Sequence, residues 1–318
     1  MQSVDSSKTR MSPYIIIIFG ILAVSSASIL IRYAQQDAPS LVIAFFRLSI
    51  ATLLISPAAL ISYRGELIAL FRRGILLALL SGLFLGFHFA TWITSLEYTS
   101  VTSSVVLVAT SPLWVALVSP LLLKEKMTRT TIIGLVLSLA GAILVGTSKS
   151  CLLNGARISC DLSDAFSEKA MLGNFLALAG AWLSAGYIVV GRKLRPSLSL
   201  APYTFLVYGI ASVVLAVMVF INRLPITGYL PETWLWFFLL AIFPQMLGHT
   251  SFNYALRFLP ATFVSVTLLG EPIGTTILAM LVLREKPLPA EMVGGVLILI
   301  GILVCSRIER RDQKKSLS

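Results

Sequence analysis

Charged residues are scarce in this chain of 318 residues. Asp, Glu, Lys and Arg together make up 12% of it, whereas about a quarter of a soluble domain is charged. Hydrophobic residues account for 57%, and the mean hydropathy is +0.90. A soluble helical core needs polar faces on its outer helices, but stretches such as 132–145 have none. The scarcity of charge therefore excludes a soluble globular protein and predicts an integral membrane protein.

Cysteine and histidine are also rare, with three and two residues respectively. Cys151 and Cys160 lie nine residues apart in the longest connection, without the histidines or second cysteine pair that a zinc site needs. The two cysteines could form a disulfide in an oxidising compartment or remain free thiols in a loop. Cys305 lies in the last apolar segment. These residues predict neither a metal centre nor a bound cofactor.

Familiar catalytic signatures are missing from the sequence. It contains no Gly-x-Ser-x-Gly elbow, no His-Glu-x-x-His helix and no phosphate-binding glycine loop. An intramembrane enzyme would have to assemble its catalytic group from Glu271, His88 and His249, and this is the alternative from a different class of protein. The net charge of +11 does not indicate nucleic-acid binding, because no soluble basic face carries it.

Ten apolar stretches are long enough, at roughly 20 residues, to cross a bilayer as helices. They cover residues 14–33, 40–61, 74–95, 101–123, 130–148, 171–191, 200–221, 233–255, 261–283 and 290–306. The first follows Lys8 and Arg10 as a signal peptide would, but its apolar run is too long and no cleavage site of small residues follows. The sequence thus predicts an all-α integral membrane protein with ten transmembrane helices.

The sequence is duplicated with a constant offset of 160 residues. Between 96–144 and 256–304, 13 of 49 positions are identical, and they include Pro, Gly, Glu and Lys, which apolar composition alone would not align. The matched pairs include Pro112/Pro272, Glu125/Glu285, Gly134/Gly294 and, outside this stretch, Arg32/Arg192. We expect a first repeat in 1–150, an external connecting loop at 151–170 and a second repeat in 171–318. Duplicated hydrophobic halves are typical of secondary transporters, whose substrate site lies between the repeats.

Five spans in each half imply that the repeats are inverted. An odd number of spans makes the second half enter the membrane from the opposite side. With the N-terminus inside, seventeen Lys and Arg residues fall in the inner segments and seven in the outer ones, as the positive-inside rule requires. We therefore expect both termini to be cytoplasmic, with the protein in the plasma (inner) membrane and in contact with its lipids.

The repeated motifs resemble those of the EamA family of the drug/metabolite transporter superfamily. They are Ser-Pro-Leu-Trp at 111–114 with Leu-Leu-Lys-Glu-Lys at 122–126, and Glu-Pro-Ile at 271–273 with Val-Leu-Arg-Glu-Lys at 282–286. A glycine follows each charged motif, at 134 and 294. The resemblance covers nearly the whole chain. It implies an inverted-repeat bundle around a central cavity and export of small metabolites such as amino acids, without naming the substrate.

Two polar stripes within the spans are candidates for the substrate cavity. Gln245, His249 and Asn253 recur at i, i+4 and i+8 in the eighth span, and His88 and Trp92 at i and i+4 in the third. The offset places His88 beside His249, so the stripes are near-equivalents in the two repeats. Both histidines could instead be core residues bonded to neighbouring groups, and a two-histidine metal site would lack further ligands.

Glu271 and Arg47 are the ionisable residues that lie deepest in the spans besides histidine. Glu271 could bind a substrate ammonium or carry a coupled proton, or it could pair with a basic residue to hold helices together. Arg47 could bind a substrate carboxylate, pair with Glu271 or bond to backbone carbonyls, or it could extend its side chain to the outer interface, which we favour slightly over substrate contact. Trp182 and Tyr187 are further cavity candidates, with packing as the default.

We predict a secondary transporter, not an enzyme, that exports a small metabolite by alternating access between the repeats. The preferred cargo is an amino acid, with Trp92 in apolar contact, Gln245 and Asn253 as hydrogen-bond partners and Glu271 as the ammonium partner. Nucleosides or sugars are the alternative cargo. Glu125 and Glu285, between basic neighbours at the ends of spans, are interpreted as structural residues in local ion pairs. The sequence leaves the oligomeric state open.

Overall fold

Most of the chain is helical. The computed structural model describes residues 11–73, 75–99, 101–125, 127–147, 151–154, 157–160, 168–282 and 288–316. The helices of the first half are α1 (Pro13–Val24), α2 (Ala27–Ala34), α3 (Ser40–Pro57), α4 (Arg64–Arg73), α5 (Ile75–Tyr98), α6 (Val101–Val108), α7 (Ser111–Leu122) and α8 (Arg129–Thr147). Those of the second half are α9 (Glu168–Leu194), α10 (Leu200–Ile221), α11 (Pro231–Leu240), α12 (Thr250–Ala255), α13 (Ala261–Leu268), α14 (Glu271–Val282) and α15 (Pro289–Ser316). In hydrocarbon a helix satisfies its own backbone hydrogen bonds, so apolar runs of this length become helices.

Seven helical stretches in the described residues are long and apolar enough to cross a membrane. They are Pro13–Ala34, Ser40–Ser62, Ile75–Tyr98, Ser104–Leu122, Glu168–Ser197, Leu200–Ile221 and Pro231–Ala255. Two shorter apolar helices cover Arg129–Leu144 and Met292–Cys305, and α13 and α14 occupy the remaining predicted span. Helix therefore occurs in each of the ten predicted intervals, whereas the ten-span topology stays a prediction. Helix α4 was not predicted, because it lies in a polar connection.

The two halves pack against each other in a pattern that the 160-residue offset reproduces. Helix α3 packs on α10, and α8 packs on α15, so that in each pair a segment meets its own copy. Helix α5 packs on α9, and the equivalent segments, 241–255 and α1, also pack together. These contacts are those expected of two halves related by a twofold axis, and they support the duplication read from the sequence.

Glycines allow α8 and α15 to cross closely. A Cβ atom on Gly134 would lie 2.6 Å from the carbonyl oxygen of Gly301, and one on Gly141 would lie 2.5 Å from that of Gly294. The 160-residue offset relates the two contacts to each other. Gly134 corresponds to Gly294 and Gly301 to Gly141, so each contact is the repeat equivalent of the other. Only glycine fits at such a separation, which is the packing that small residues permit between transmembrane helices.

Three of the predicted spans are broken near their middle. The breaks are at Ser25–Ser26 between α1 and α2, at Ala109–Thr110 between α6 and α7, and at Leu269–Gly270 between α13 and α14. The last two are 160 residues apart. Each of these two breaks is followed by a proline in the first turn of the next helix, Pro112 or Pro272. Proline lacks the N–H that would continue the preceding helix. Discontinuous helices of this kind form substrate sites in transporters.

Hydrogen bonds hold the first and third breaks together. The hydroxyl of Ser25 lies 3.0 Å from the carbonyl oxygen of Glu271, and Thr275 donates its hydroxyl proton to the carbonyl of Ser25, also over 3.0 Å. Gly274 leaves room for this contact, because a Cβ there would overlap the Ser25 hydroxyl. The start of α14, with Glu271, is therefore fixed against the end of α1.

The connection between the halves contains a short β-hairpin within an otherwise all-α fold. Strands β1 (Cys151–Asn154) and β2 (Arg157–Cys160) are antiparallel, and Cys151 is directly opposite Cys160. Opposite residues in such a ladder have Cα atoms about 4.5–5.5 Å apart, within the range that a disulfide spans. The register is compatible with the predicted disulfide, which remains a prediction. Helix α9 begins at Glu168, inside the predicted loop.

Candidate functional site

A cavity lies between the halves, at the three helix breaks. It leaves about 640 Å³ free of protein atoms, its opening included. Helices α1–α3, α5, α6–α7, α9, α13–α14 and the segment between α11 and α12 all contribute to its wall. Its ionisable or polar lining residues are Arg47, His88, Trp92, Ser111, Ser184, His249 and Glu271. Ser111 and Glu271 are the first residues after two of the breaks and are equivalent under the 160-residue offset.

Arg47 is completely buried in this wall, with no exposed surface. Its Nε donates a hydrogen bond to Oε1 of Gln245 over 2.9 Å, and its guanidinium carbon lies 4.2 Å from the centre of the Phe89 ring. The interpretation that Arg47 extends to the membrane interface is therefore wrong. A bond to the second half of the chain and a stacked ring hold the side chain inside the bundle.

The terminal nitrogens of Arg47 are unsatisfied. Neither Nη1 nor Nη2 has a hydrogen-bond partner among the described residues, and the same holds for Nε1 of Trp92 and Nε2 of Gln245. All four atoms are donors, and Arg47 and Trp92 face the cavity. Leaving a buried donor unpaired costs about 1–3 kcal/mol. Arg47 and Trp92 therefore offer unpartnered donors to the cavity, and a ligand with a carboxylate would supply acceptors for them.

Glu271 lines the same cavity from the start of α14. Within the described residues, no ion pair of 4.0 Å or less joins its carboxylate to Arg47. The ion pair between Glu271 and Arg47, one of the alternatives that the sequence left open, is thus not formed in this structure. The guanidinium of Arg47 and the carboxyl group of Glu271 therefore line one cavity without pairing with each other.

Both histidine rings contact the ring of Phe89. His88 Nδ1 is 2.8 Å from the carbonyl oxygen of Gly180 and therefore carries the proton of a neutral ring, which leaves Nε2 as an acceptor. The His88 ring is stacked on Trp92 at an angle of 5°, with 5.9 Å between ring centres. His249 meets the edge of Phe89 at 5.2 Å. Both imidazoles line the cavity, and His88 also makes the backbone bond of a core histidine.

The polar stripe predicted for the eighth span does not face the cavity as a whole. His249 lines the cavity, whereas Gln245 is buried behind Arg47. Asn253 accepts a hydrogen bond from the Tyr187 hydroxyl over 2.7 Å and donates one to Tyr208 over 3.1 Å, away from the lining. A π-helix covers Ala241–His249 in this span, so the side-chain spacing there is not that of a regular α-helix.

Helix α9 places its two aromatic candidates away from the lining as well. Trp182 is 47% exposed on the outside of the bundle, where its ring meets Trp114 edge-on at 5.1 Å. Ser184, two residues later, lines the cavity, and residues two apart on a helix point in nearly opposite directions. Tyr187 is buried with Asn253. The packing interpretation therefore holds for Trp182 in this structure.

Sequence reasoning missed Phe89, Ser111 and Ser184 as parts of the site. Phe89 resembles any core residue in sequence and does not itself line the cavity, but its ring contacts both Arg47 and His249, which do. Ser111 had a usable signal, because it is the repeat equivalent of Glu271 and precedes a proline. In the described part of the chain, no three His, Cys, Asp or Glu side chains are grouped closely enough to hold a metal ion.

A duplicated bundle of apolar helices with a polar cavity between its halves is the architecture of a multi-pass membrane transporter. The model of the EamA-like transporter family matches this chain twice, at residues 11–147 and 171–307, and the chain belongs to that family. The two matches coincide with the two sequence repeats.

Relatives with curated names are transporters. An uncharacterized transporter of Archaeoglobus fulgidus is 30% identical over 212 residues, which are 65% of this chain and 68% of the relative. The pseudopaline exporter CntI of Pseudomonas aeruginosa is 26% identical over 282 residues, covering 88% of this chain and 91% of the relative. A solved crystal structure has the same fold, with a TM-score of 0.75 and 18% identity over 95% of this chain and 99% of its own.

Proposed function

We propose that this protein exports small zwitterionic metabolites, with amino acids as the preferred class, by alternating access of a central cavity. The observation that carries the proposal is the set of buried donors at Arg47 and Trp92 that have no partner among the described residues, in a cavity that Glu271 also lines. Arg47 would bind the substrate carboxylate through its two terminal nitrogens, as the planar guanidinium favours. Glu271 would bind the ammonium group, and the face of Trp92 an apolar side chain.

Several features support this function. The family is one of transporters, and one relative is named as an exporter. The proposed topology has ten spans in two inverted repeats, with both termini in the cytoplasm, and places the cavity near the middle of the membrane. An intramembrane enzyme is less well supported, because Nδ1 of His88 is already bonded to the backbone of Gly180 rather than to a reacting group.

The test is uptake into proteoliposomes that contain the purified protein. The substrate series compares amino acids with the amines and amino-acid amides that lack the carboxylate, and with nucleosides and sugars, each with and without a pH gradient. Transport of amino acids but not of the matching amines and amides is expected, because only the acids satisfy Arg47. Equal transport of acids and amides, or transport of sugars or nucleosides alone, would show that the proposed substrate class is wrong.

A further inference from the structure

The two broken helices place equivalent residues in the cavity wall. Around the break between α6 and α7, and around the break between α13 and α14, four residues of each half line the cavity. Under the 160-residue offset they form the pairs Val108/Leu268, Ala109/Leu269, Ser111/Glu271 and Pro112/Pro272. Three of these pairs are apolar in both halves. The two breaks therefore differ in charge at one pair, Ser111 and Glu271.

The N-terminus of α7 has no capping side chain in the described part of the chain. Thr110 precedes the helix, but its hydroxyl donates to the carbonyl oxygen of Leu107 in α6 over 2.6 Å and caps no N–H of α7. The carbonyl oxygen of Thr110 accepts a hydrogen bond from the N–H of Leu113 over 2.9 Å, and Ile273 makes the equivalent bond to Gly270 over 3.1 Å. The helices α7 and α14 thus begin in the same way, each with the positive end of its dipole at the cavity.

Ser111 brings an unsatisfied polar atom to the start of α7. The residue is 5% exposed and lines the cavity, and its Oγ has no hydrogen-bond partner among the described residues. A serine hydroxyl can donate its proton to an anion, and the N-terminus of a helix favours negative charge. The buried hydroxyl and the uncapped helix end therefore both point to an acidic group of a ligand.

Glu271 shows how the second half fills the equivalent place. Its carboxyl group belongs to the first turn of α14, where the helix dipole stabilises a negative charge. The first half has no carboxyl group at this position, because Ser111 stands there. A carboxylate of the substrate would give α7 the charge that Glu271 gives α14.

Arg47 and Ser111 reach the cavity among different neighbours. Helix α3, which carries Arg47, packs on α5, α10 and α11, whereas α7 packs on α9 and α13. The two terminal nitrogens of Arg47 also match both oxygens of a single carboxylate. One carboxylate is therefore not expected to satisfy both Arg47 and the start of α7.

We propose that Ser111 and the N-terminus of α7 form a second subsite for an acidic group, and that the preferred cargo is an amino acid with a carboxylate on its side chain. This inference rests on the proposed function, in which Arg47 binds the first carboxylate and Glu271 the ammonium group. The side-chain carboxylate accepts the hydroxyl proton of Ser111 and lies at the positive end of α7. Val108 and Ala109, just before the break, contact the methylene groups of the substrate.

Calorimetric titration of the purified protein in detergent tests the subsite with L-glutamate, L-glutamine and glutarate. Glutamate and glutamine have nearly the same shape and differ in the charge of the side-chain end group. Glutamate should bind at least about tenfold more tightly, because the helix end and the hydroxyl act on a full charge.

Two substitutions of Ser111 change this preference in different ways. Ser111→Ala removes the hydroxyl and should reduce the ratio of the two Kd values by about threefold or more. Ser111→Glu places a carboxyl group where Glu271 stands in the other half, and it should make glutamine the tighter ligand. A variant that binds glutamine as the parent chain does is folded, so a loss confined to glutamate is specific to the subsite.

Ser119→Ala is the matched control. Ser119 lies in the same helix, is completely buried and has an Oγ without a partner among the described residues, but it is not among the residues that line the cavity. The Kd values of glutamate and glutamine should both remain those of the parent chain.

The outcomes separate the subsite from the proposed function. Equal affinities of glutamate and glutamine in the parent chain, or a preference that both Ser111 variants retain unchanged, would overturn the subsite and leave the proposed function standing. Glutarate that binds as tightly as glutamate would contradict the ammonium site at Glu271, whereas a dependence of its binding on Ser111 would still support the subsite. If none of the three compounds binds, the amino-acid class is wrong and the subsite is wrong with it.

Discussion

Among single residues, Glu271 allows ligand binding to be separated from packing. Replacing it with Gln retains its volume and much of its hydrogen bonding but removes the charge. Because no ion pair to Arg47 is formed among the described residues, Glu271→Gln should leave the melting temperature nearly unchanged. Transport should fall about 10- to 100-fold, which corresponds to roughly 1.5–3 kcal/mol for a lost charged hydrogen bond. Proteoliposome uptake and thermal unfolding in detergent measure the two effects. A fall in both together would indicate a structural partner instead.

Arg47 provides a second test at the same scale. Arg47→Lys retains the positive charge but loses the planar pair of donors and the stacking of the guanidinium on Phe89. We expect KM for amino-acid substrates to rise at least about tenfold, since two parallel bonds become one. The control is Trp182→Phe, which changes a large ring on the outside of the bundle. If both variants have the KM of the parent chain, Arg47 does not bind substrate.

Asp37 is hydrogen-bonded to the N-terminus of α11 and should make the stability of the folded protein depend on pH. Its Oδ2 accepts hydrogen bonds from the Thr233 hydroxyl over 2.7 Å and from the backbone N–H of Leu230 over 2.9 Å, and these two bonds lower the pKa of the exposed carboxyl. A lowered pKa in the folded state means that the stabilisation is present above the unfolded value, about 3.9, and is lost as the pH falls below it.

The measurement is the melting temperature of the parent chain and Asp37→Asn between pH 7 and pH 3. The difference between them should be largest at neutral pH and should narrow as the carboxylate becomes protonated. Glu232→Gln, in the first turn of the same helix, serves as the matched control. A difference that stays constant down to pH 3 would mean that the charge of Asp37 does not act on α11.

At the scale of helices, the crossing of α8 and α15 should be intolerant of even one methyl group. A Cβ at Gly301 would overlap the backbone of Gly134 and Ser138, whereas a Cβ at Gly295 in the same helix would meet no atom closer than 3.8 Å. Gly301→Ala should therefore lower the free energy of unfolding by about 1–3 kcal/mol through overpacking. Gly295→Ala should change it little. Equal effects of the two substitutions on denaturant unfolding would contradict this close approach.

The π-helix at Ala241–His249 has a consequence for the whole site. It contains Pro244, which lacks an N–H, and it lies next to Arg47 and the cavity. Within this π-helix, Gln245 is bonded to Arg47 and His249 lines the cavity. The equivalent stretch of the first half, within α5, is regular, and the cavity wall is asymmetric there.

For the whole molecule, the proposed inverted topology predicts which side of the membrane each connection faces. In a chain whose native cysteines are replaced by serine, a single cysteine at Ile226 should react with an impermeant reagent from outside the cell. A cysteine at Lys193 should react only after the membrane is opened. Both positions are exposed in the structure, so access is decided by the side of the membrane alone. Reaction of both from the same side would disprove five spans in each half.

The sequence by itself determined the membrane class, the duplication and the family, because these depend on composition and on matches at a constant offset. It also identified Arg47, His88, Trp92, His249 and Glu271, which all line the cavity. Buried polar residues are conspicuous in apolar spans, so their types alone mark the region of the site.

Only the tertiary structure decided how these residues are used. Sequence cannot tell which face of an apolar helix meets the bundle, so it left both packing and cavity roles open for Trp182, and the interface role that it favoured for Arg47 over substrate contact is wrong. The π-helix also altered the side-chain register of the eighth span, and pattern rules that assume a regular helix could not predict this. The contact of Glu125 with Arg192 joins residues 67 positions apart through the packing of the two halves. Such contacts depend on how helices pack in space, which local sequence does not specify.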